Sequence, residues 1–300
     1  MLTVAVPNFN GARYLDSALA SLAAQRPHLR WHLQDGGSGD DSLEIARRRA
    51  GDGDALASEP DGGQAAALNT AFAACGGDIL GWLNSDDQLV DGAAQAVLAA
   101  FAAHPEVDIV YGEVDWIGAD GEPRGHHAGR MDSLAEALDI HRVWWAGRQW
   151  VQPEVFFRRR MFERVGGIDS GYDLAFDYDL WLRMLEAGAT ALRLPRTLAR
   201  FRLHPGQKSA RAAEAAAEIR RSAHAALARK PPLPSASRRR IARLLDYDRY
   251  QAGEILAADG TRASLPAMLA RRPDWLLLPE VRRRLLRSFL ARQRHALWLV

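Results

Sequence analysis

The chain has 300 residues, with 39 basic and 37 acidic side chains, a net charge of +2, and 48% hydrophobic residues. That supplies the core of one large α/β domain with an appendage and excludes wholesale disorder. A single cysteine (Cys75) excludes an internal disulfide and a thiolate zinc cluster; no apolar run reaches the roughly 18 residues of a membrane span, and MLTVAVPNFN lacks a secretory leader, so a cytoplasmic, reduced setting is expected.

In chain order, residues 2–7 (LTVAVP) read as a short buried strand stopped at Pro7 and followed by Asn8, Asn10 and Gly11. Residues 14–24 carry Leu15, Leu19 and Leu22 at helical spacing, and residues 29–34 read as a second strand running into DGGSGDDS. Helices are expected over 42–49, 64–74 and 93–103, with a brief segment near Leu56 and a third strand over 78–83 that runs into NSDD. Alternating strands and helices predict a doubly wound parallel sheet, whose ligands bind beyond the carboxyl ends of the strands, where Asn8, Asp35 and Asp86 fall.

After His104 the rhythm changes. Residues 109–123 read as a strand and a hairpin turning at Asp120-Gly121, 132–140 as a helix, and 151–157 as extended. A short helix over 161–165 closes at Gly166-Gly167, and 177–187 is an amphipathic helix. TALRLP and ARFRLH, within 190–204, read as two strands. Beyond Gly206 the chain turns to alanine and arginine with helical patterning, interrupted by Pro231, Pro232 and Pro234, which gives domains of 1–209 and 210–300. Residues 231–300 hold fourteen arginines against six acids, net +8, and the rest of the chain is therefore −6. This excess lacks a nucleic-acid reading motif, so no nucleic-acid partner is expected.

Three segments carry candidate chemistry. In LNSDD (83–87), two adjacent carboxylates at a strand end repel each other, and a hard divalent cation shared with phosphate oxygens would relieve that repulsion; they read equally as turn and helix-cap residues. Asp177, in FDYDLWLRM, opens a helix whose dipole keeps a carboxylate ionised, which suits a general base, although it also reads as a plain cap. His204, in FRLHPGQKS, follows a strand and suits a metal or diphosphate contact, or a structural role. Trp144, Trp145, Trp150 and Trp181 read first as core. The first strand is not followed by GxGxxG, which argues against a dinucleotide enzyme.

Together, VAVPNFNGARYLDSALASLAAQ (4–25), LQDGGSGDDSLEIA (33–46), SEPDGGQAAALNTAF (58–72), GDILGWLNSDD (77–87), VQPEVFFRRRMFERVGGID (151–169), FDYDLWLRM (176–184) and FRLHPGQKS (201–209) resemble glycosyltransferase family 2. These are the inverting nucleotide-sugar transferases of GT-A fold, a Rossmann-like doubly wound mixed sheet, here with a helical C-terminal extension. The resemblance implies that Pro7, Asn8, Asn10 and Asp35 hold the nucleoside of a UDP-, dTDP- or GDP-linked donor, with Asp61 and Asn69 in the same donor set. It places Asp86 on the ribose, Asp87 on a Mn2+ or Mg2+ ion bridging the diphosphate, His204 as a further metal or diphosphate ligand, and Asp177 as the base for a hydroxyl on a glycan or lipid-linked acceptor. Departures are Gly39, Asp41, Ala66 and Phe176, which stand where the family usually has Thr, Gly, Asp and Glu.

The expected function is sugar transfer in surface polysaccharide or glycan assembly. The alternatives are a catalytically silent nucleotide-sugar-binding subunit and a nucleotidyltransferase, for which PNFNGAR is a poor phosphate loop. Oligomeric state is left open. In the tail, Val281, Leu285, Leu286, Phe289, Leu290 and Leu297 read as one helical face flanked by arginines, suited to peripheral contact with the inner face of a membrane or to packing within the protein.

Overall fold

The computed structural model describes residues 1–257 and 260–296, with side chains up to residue 287. The first half alternates as β1 (Leu2–Asn8), α1 (Ala12–Ala23), β2 (Leu29–Asp35), α2 (Ser42–Arg49), β3 (Ala55–Ser58), α3 (Gln64–Ala74) and β4 (Ile79–Trp82). It continues through β5 (Gln88–Leu89), α4 (Ala93–Ala103), β6 (Ile109–Ile117), β7 (Pro123–His127), α5 (Leu134–Ala137), β8 (Val155–Arg158), α6 (Arg159–Arg164), α7 (Phe176–Glu186) and β9 (Ala191–Arg202). Helices α8 (Ala212–Ala228), α9 (Ser235–Gln251), α10 (Leu265–Arg271) and α11 (Pro279–Ala296) follow.

Among the described residues the strands form one nine-stranded sheet in the order β3-β2-β1-β4-β8-β6-β9-β5, with β7 on β6. The first four strands are parallel, as the alternation predicts. β8 then runs antiparallel to β4 and β6, and β9 parallel to β6, so the sheet is mixed. β1 is buried along its whole length, which is why it reads as a continuous apolar run. Its pleat separates two cores: Leu2, Val4 and Val6 join α1, α2 and α4, and Ala5 joins α3 and α7.

Three readings of the second half are revised. The segment read as two strands near 190–204 is one twelve-residue strand containing Pro195. The proline is tolerated because it falls where the β6 register shifts between Tyr111 and Glu113, so its missing N–H breaks no ladder bond. The helix expected over 132–140 covers only Leu134–Ala137. Beyond it the Asp139 N–H turns to the Glu136 carbonyl (2.9 Å), and the Asp139 side chain accepts from the Arg142 N–H (3.3 Å) and from Arg240 (2.7 Å).

The third revision concerns the tail. Val281 is fully buried and Leu285 packs beside it in a cluster with Tyr247, Tyr250, Met268 and Trp275, whereas Leu286 is 57% exposed. One residue is about 100° of helix, so 285 and 286 cannot both face that cluster. Phe289, Leu290 and Leu297 lie outside the described side chains. Ile219, Ala223 and Ala226 of α8, with Ile241 and Leu245 of α9, are buried in the same core as α3 and α7. Among the described residues no helix is long and apolar enough to cross a membrane.

Candidate functional site

Because β1, β2 and β4 are parallel, their carboxyl ends open on one side, and a pocket of about 820 Å³ lies there. Pro7, Asn8, Phe9, Gly36, Asp61 and Gln64 line one wall, Asn84, Ser85 and Asp86 the floor after β4, and Trp144 with residues 173–177 the facing wall. Segment 206–209 and Ala215 and Ile219 of α8 close it. Among the described lining residues Lys208 is the one cationic side chain; its Nζ donates to the Asp173 carboxylate (2.6 Å).

Several lining side chains carry a buried polar atom without a protein partner: Asn8 Oδ1, Trp82 Nε1, Trp144 Nε1 and Gln152 Oε1. Gln152 lies in a segment that the sequence reads as extended from residue 151, whereas residues 152–154 form a 3-10 turn and the strand begins at Val155.

The expected donor residues separate into those facing the pocket and those building it. Pro7, Asn8, Asp61 and Asp86 face it. Asp35 does not: it is fully buried, and its oxygens accept from Asn8 Nδ2 (2.7 Å), Ser38 Oγ (2.5 Å), Ser58 Oγ (2.7 Å) and the N–H groups of Gly37 and Ser38. Burial opposes its ionisation, but these donors hold its carboxyl below the usual range. With these bonds in place, Asp35 shapes the loop after β2. Asn10 is likewise committed, at φ +50°, with Oδ1 accepting from the Gly39 N–H (2.9 Å). Gly36, where that loop meets the pocket, leaves room for a carboxylate: a β-carbon there would lie 3.0 Å from Asp61 Oδ2.

Asn69 is likewise absent from the pocket lining. Its Nδ2 donates to the Ile168 carbonyl (2.8 Å) and its Oδ1 accepts from the Ile168 N–H (2.9 Å), bolting α3 to the turn after α6. Asn69→Ala should therefore cost stability, roughly 1–3 kcal/mol by orphaning two backbone groups, with the donor KM unchanged. Thermal melts beside steady-state kinetics test this, and a raised donor KM at unchanged Tm would return Asn69 to the pocket.

The two adjacent aspartates have opposite fates. Asp86 lines the pocket, and its Oδ2 lies 2.9 Å from His204 Nε2. Asp87 is 1% exposed and turned inward: Oδ1 accepts from the Arg202 N–H (2.9 Å) and Oδ2 from Asn84 Nδ2 (3.3 Å). Burial and the neighbouring Asp86 charge push the Asp87 carboxyl well above the usual range. Of the two, Asp86 is the one that faces the pocket. Asp87 instead ties the end of β4 to the end of β9, two residues before His204.

A carboxylate and an imidazole within hydrogen-bond reach of each other at a pocket edge suit Mn2+ or Mg2+, with phosphate oxygens completing the shell. Among the described residues no group of three or more such side chains gathers.

Asp177, in the first turn of α7, is part-buried on the opposite wall. Burial raises its carboxyl to about 6, the Glu218 charge adds to this, and the Tyr178 N–H at 2.7 Å opposes it. That value suits a group that must accept a proton near neutral pH. Phe176 beside it is core, packed against Trp82 (6.1 Å between rings), which accounts for an aromatic residue there.

The sequence profile described as "Glycosyl transferase family 2" matches residues 3–166. The "O-antigen biosynthesis protein RfbC" of Myxococcus xanthus is 31% identical over 179 residues, 58% of this chain and 13% of that one, so the chain spans a small part of that relative. The crystal structure of S. aureus TarS 1-349 in complex with UDP-GlcNAc superposes with a TM-score of 0.65 at 16% identity, over 83% of this chain and 72% of that one. The mannosyltransferase PcManGT from Pyrobaculum calidifontis, in complex with GDP-Man and Mn2+, gives a TM-score of 0.61 at 22% identity over 94% and 82%. The fold is that of the GT-A glycosyltransferases.

Proposed function

The chain belongs to glycosyl transferase family 2 and is a glycosyltransferase; from that premise we propose that it transfers a sugar, with inversion, from a nucleoside-diphosphate donor to a hydroxyl acceptor. One observation carries the reading. A single pocket presents Asp86 on the strand-end floor, with His204 behind it at 2.9 Å and outside the lining, and Asp177 on the facing wall. One side thus offers metal and diphosphate ligands and the other a base, with the space between for the anomeric carbon.

Asp177 takes the proton of the acceptor hydroxyl as that oxygen bonds to the anomeric carbon. The bond from that carbon to the diphosphate oxygen breaks, and the nucleoside diphosphate leaves with its electron pair. Attack and departure are in line, so configuration inverts and no covalent enzyme intermediate is needed. A divalent cation held by Asp86 and His204 would supply positive charge beside the leaving diphosphate. Lys208 is suited to the same charge, since its exposed pair with Asp173 is worth only about 0–1 kcal/mol and is readily exchanged.

Trp144, Leu174, Ala215 and Ile219 make the base side of the pocket largely apolar, which favours an acceptor bearing an apolar portion over a free sugar. The relative named for O-antigen biosynthesis, and neighbours that bind UDP-GlcNAc and GDP-Man, support surface glycan assembly with a UDP- or GDP-linked donor. The test is thermal stabilisation by UDP-, GDP- and dTDP-sugars with and without Mn2+, followed by transfer to alkyl or aryl glycosides and to free sugars. Cation-dependent stabilisation by one nucleotide class, then transfer to the apolar acceptors, is expected. The absence of stabilisation by every donor overturns the reading.

A further inference from the structure

The turn that presents Asp177 is capped from outside its own sequence. The N-cap residue, Ala175, has no side-chain oxygen to offer, and within α7 Asp177 Oδ1 meets the Tyr178 N–H (2.7 Å). Helix N-termini leave backbone donors unpaired, and a carboxylate placed there is favoured by the dipole. Here the carboxylate comes from α8, some forty residues on. Glu218 Oε1 accepts from the Asp173 N–H (3.1 Å), and Oε2 from the N–H groups of Leu174 (2.8 Å) and Ala175 (2.9 Å). Residues 173–177 all line the pocket, so one side chain fastens the backbone of the whole base-bearing wall.

We propose that Glu218 is a positioning residue for Asp177, fixing the entry to α7 so that the base meets the acceptor hydroxyl. The inference rests on Asp177 being the base, and it makes α8, which lies beyond the matched residues 3–166, part of the working site. Burial opposes the ionisation of Glu218, but the three N–H groups and Arg221 (3.7 Å) hold its carboxyl below the usual range, so it is a standing negative charge near Asp177.

The other charged groups around this wall are engaged elsewhere. Asp173 pairs with Lys208 and Arg211, Asp179 with Arg183 and Ser222, and Glu136 of α5 accepts from the Asp132 N–H and Ser133. Asp61 and Asp86 sit across the pocket. Holding a base to within a fraction of an ångström is worth much in rate, since a displacement of about 1 Å costs on the order of 100-fold.

The test compares Glu218→Ala, Glu218→Gln and Glu186→Gln, the last removing another tie between α7 and α8, to Arg229 (2.9 Å). Glu218→Ala should lower kcat by about 10- to 100-fold with the donor KM little changed. Glu218→Gln, which keeps one acceptor oxygen but not the charge, should recover part of kcat and move the acid limb of the pH–rate profile to lower pH. Glu186→Gln should do neither. Wild-type kcat in Glu218→Ala, or a Glu218→Gln profile that superposes on the wild type, overturns the inference; if Glu218→Ala fails to fold, the Gln profile still decides. Asp177→Asn separates the two readings: activity in that variant removes the base itself, whereas an inactive Asp177→Asn beside normal Glu218 variants removes only the positioning role.

Discussion

Asp177→Asn is expected to reduce transfer by about 100- to 10,000-fold, the usual worth of a general base, while leaving donor-induced stabilisation intact and raising Tm above neutral pH. The chemistry gives the first effect, because an amide cannot take the acceptor proton. The environment gives the second. A carboxyl raised from 3.8 to about 6, chiefly by burial, favours the protonated form in the folded state. The stability attached to that form is fully present below the unfolded pKa and is lost as pH rises through about 6.

Two pK units correspond to roughly 3 kcal/mol as an upper bound. Relative to Asp177→Asn, which is neutral throughout, the wild type should therefore lose stability between about pH 4 and pH 6. Activity runs the other way: only the ionised base works, so kcat/KM should climb with pH and level off above about 6. The two measurements together distinguish a lost base from a damaged fold, since a misfolded variant would melt earlier rather than later. Transfer by Asp177→Asn at the wild-type rate would sink the assignment.

The sequence made the strand-end geography legible because period and punctuation are local. The apolar run of β1, the spacing of Leu15, Leu19 and Leu22, and the turns after β2 and β4 placed Asn8, Asp35 and Asp86 on one side of a parallel sheet. Which atom of a loop faces the ligand is not local. Asp35 and Asp86 look alike in sequence, yet the first is surrounded by hydroxyl and N–H donors from three segments and the second stands open to the pocket.

Asn69, expected among the donor residues, makes contacts with Ile168, ninety-nine positions away, that are not visible in a local pattern. Glu218 is hidden for the same reason, since its three partners are backbone groups of a distant loop and carry no side-chain signature. The helix expected over 132–140 stops at Ala137, and the distant partner of Asp139, Arg240, is of the kind that local propensity does not weigh.

The adjacent carboxylates give the second large effect. Asp86→Ala should abolish cation-dependent donor stabilisation and transfer while leaving Tm near the wild type, because Asp86 faces the pocket and supports no fold contact beyond His204 and a backbone carbonyl held by Arg202. Asp87→Ala should lose transfer as well, but through the fold. It strips the partner from a buried backbone N–H at Arg202 and from Asn84, a loss of about 1–3 kcal/mol, and it frees the end of β9 that carries the chain to His204.

The discriminating measurement is Mn2+-dependent donor stabilisation set against Tm in the absence of ligand. Asp86→Ala should lose the first and keep the second, and Asp87→Ala should lower the second. His204→Ala should follow Asp86→Ala, since the pair meets at 2.9 Å and a hard cation with one protein ligand left is held poorly. If Asp87→Ala kept its Tm and lost only the cation response, the inward orientation of that side chain would not describe the working enzyme, and the metal would belong to Asp87 after all.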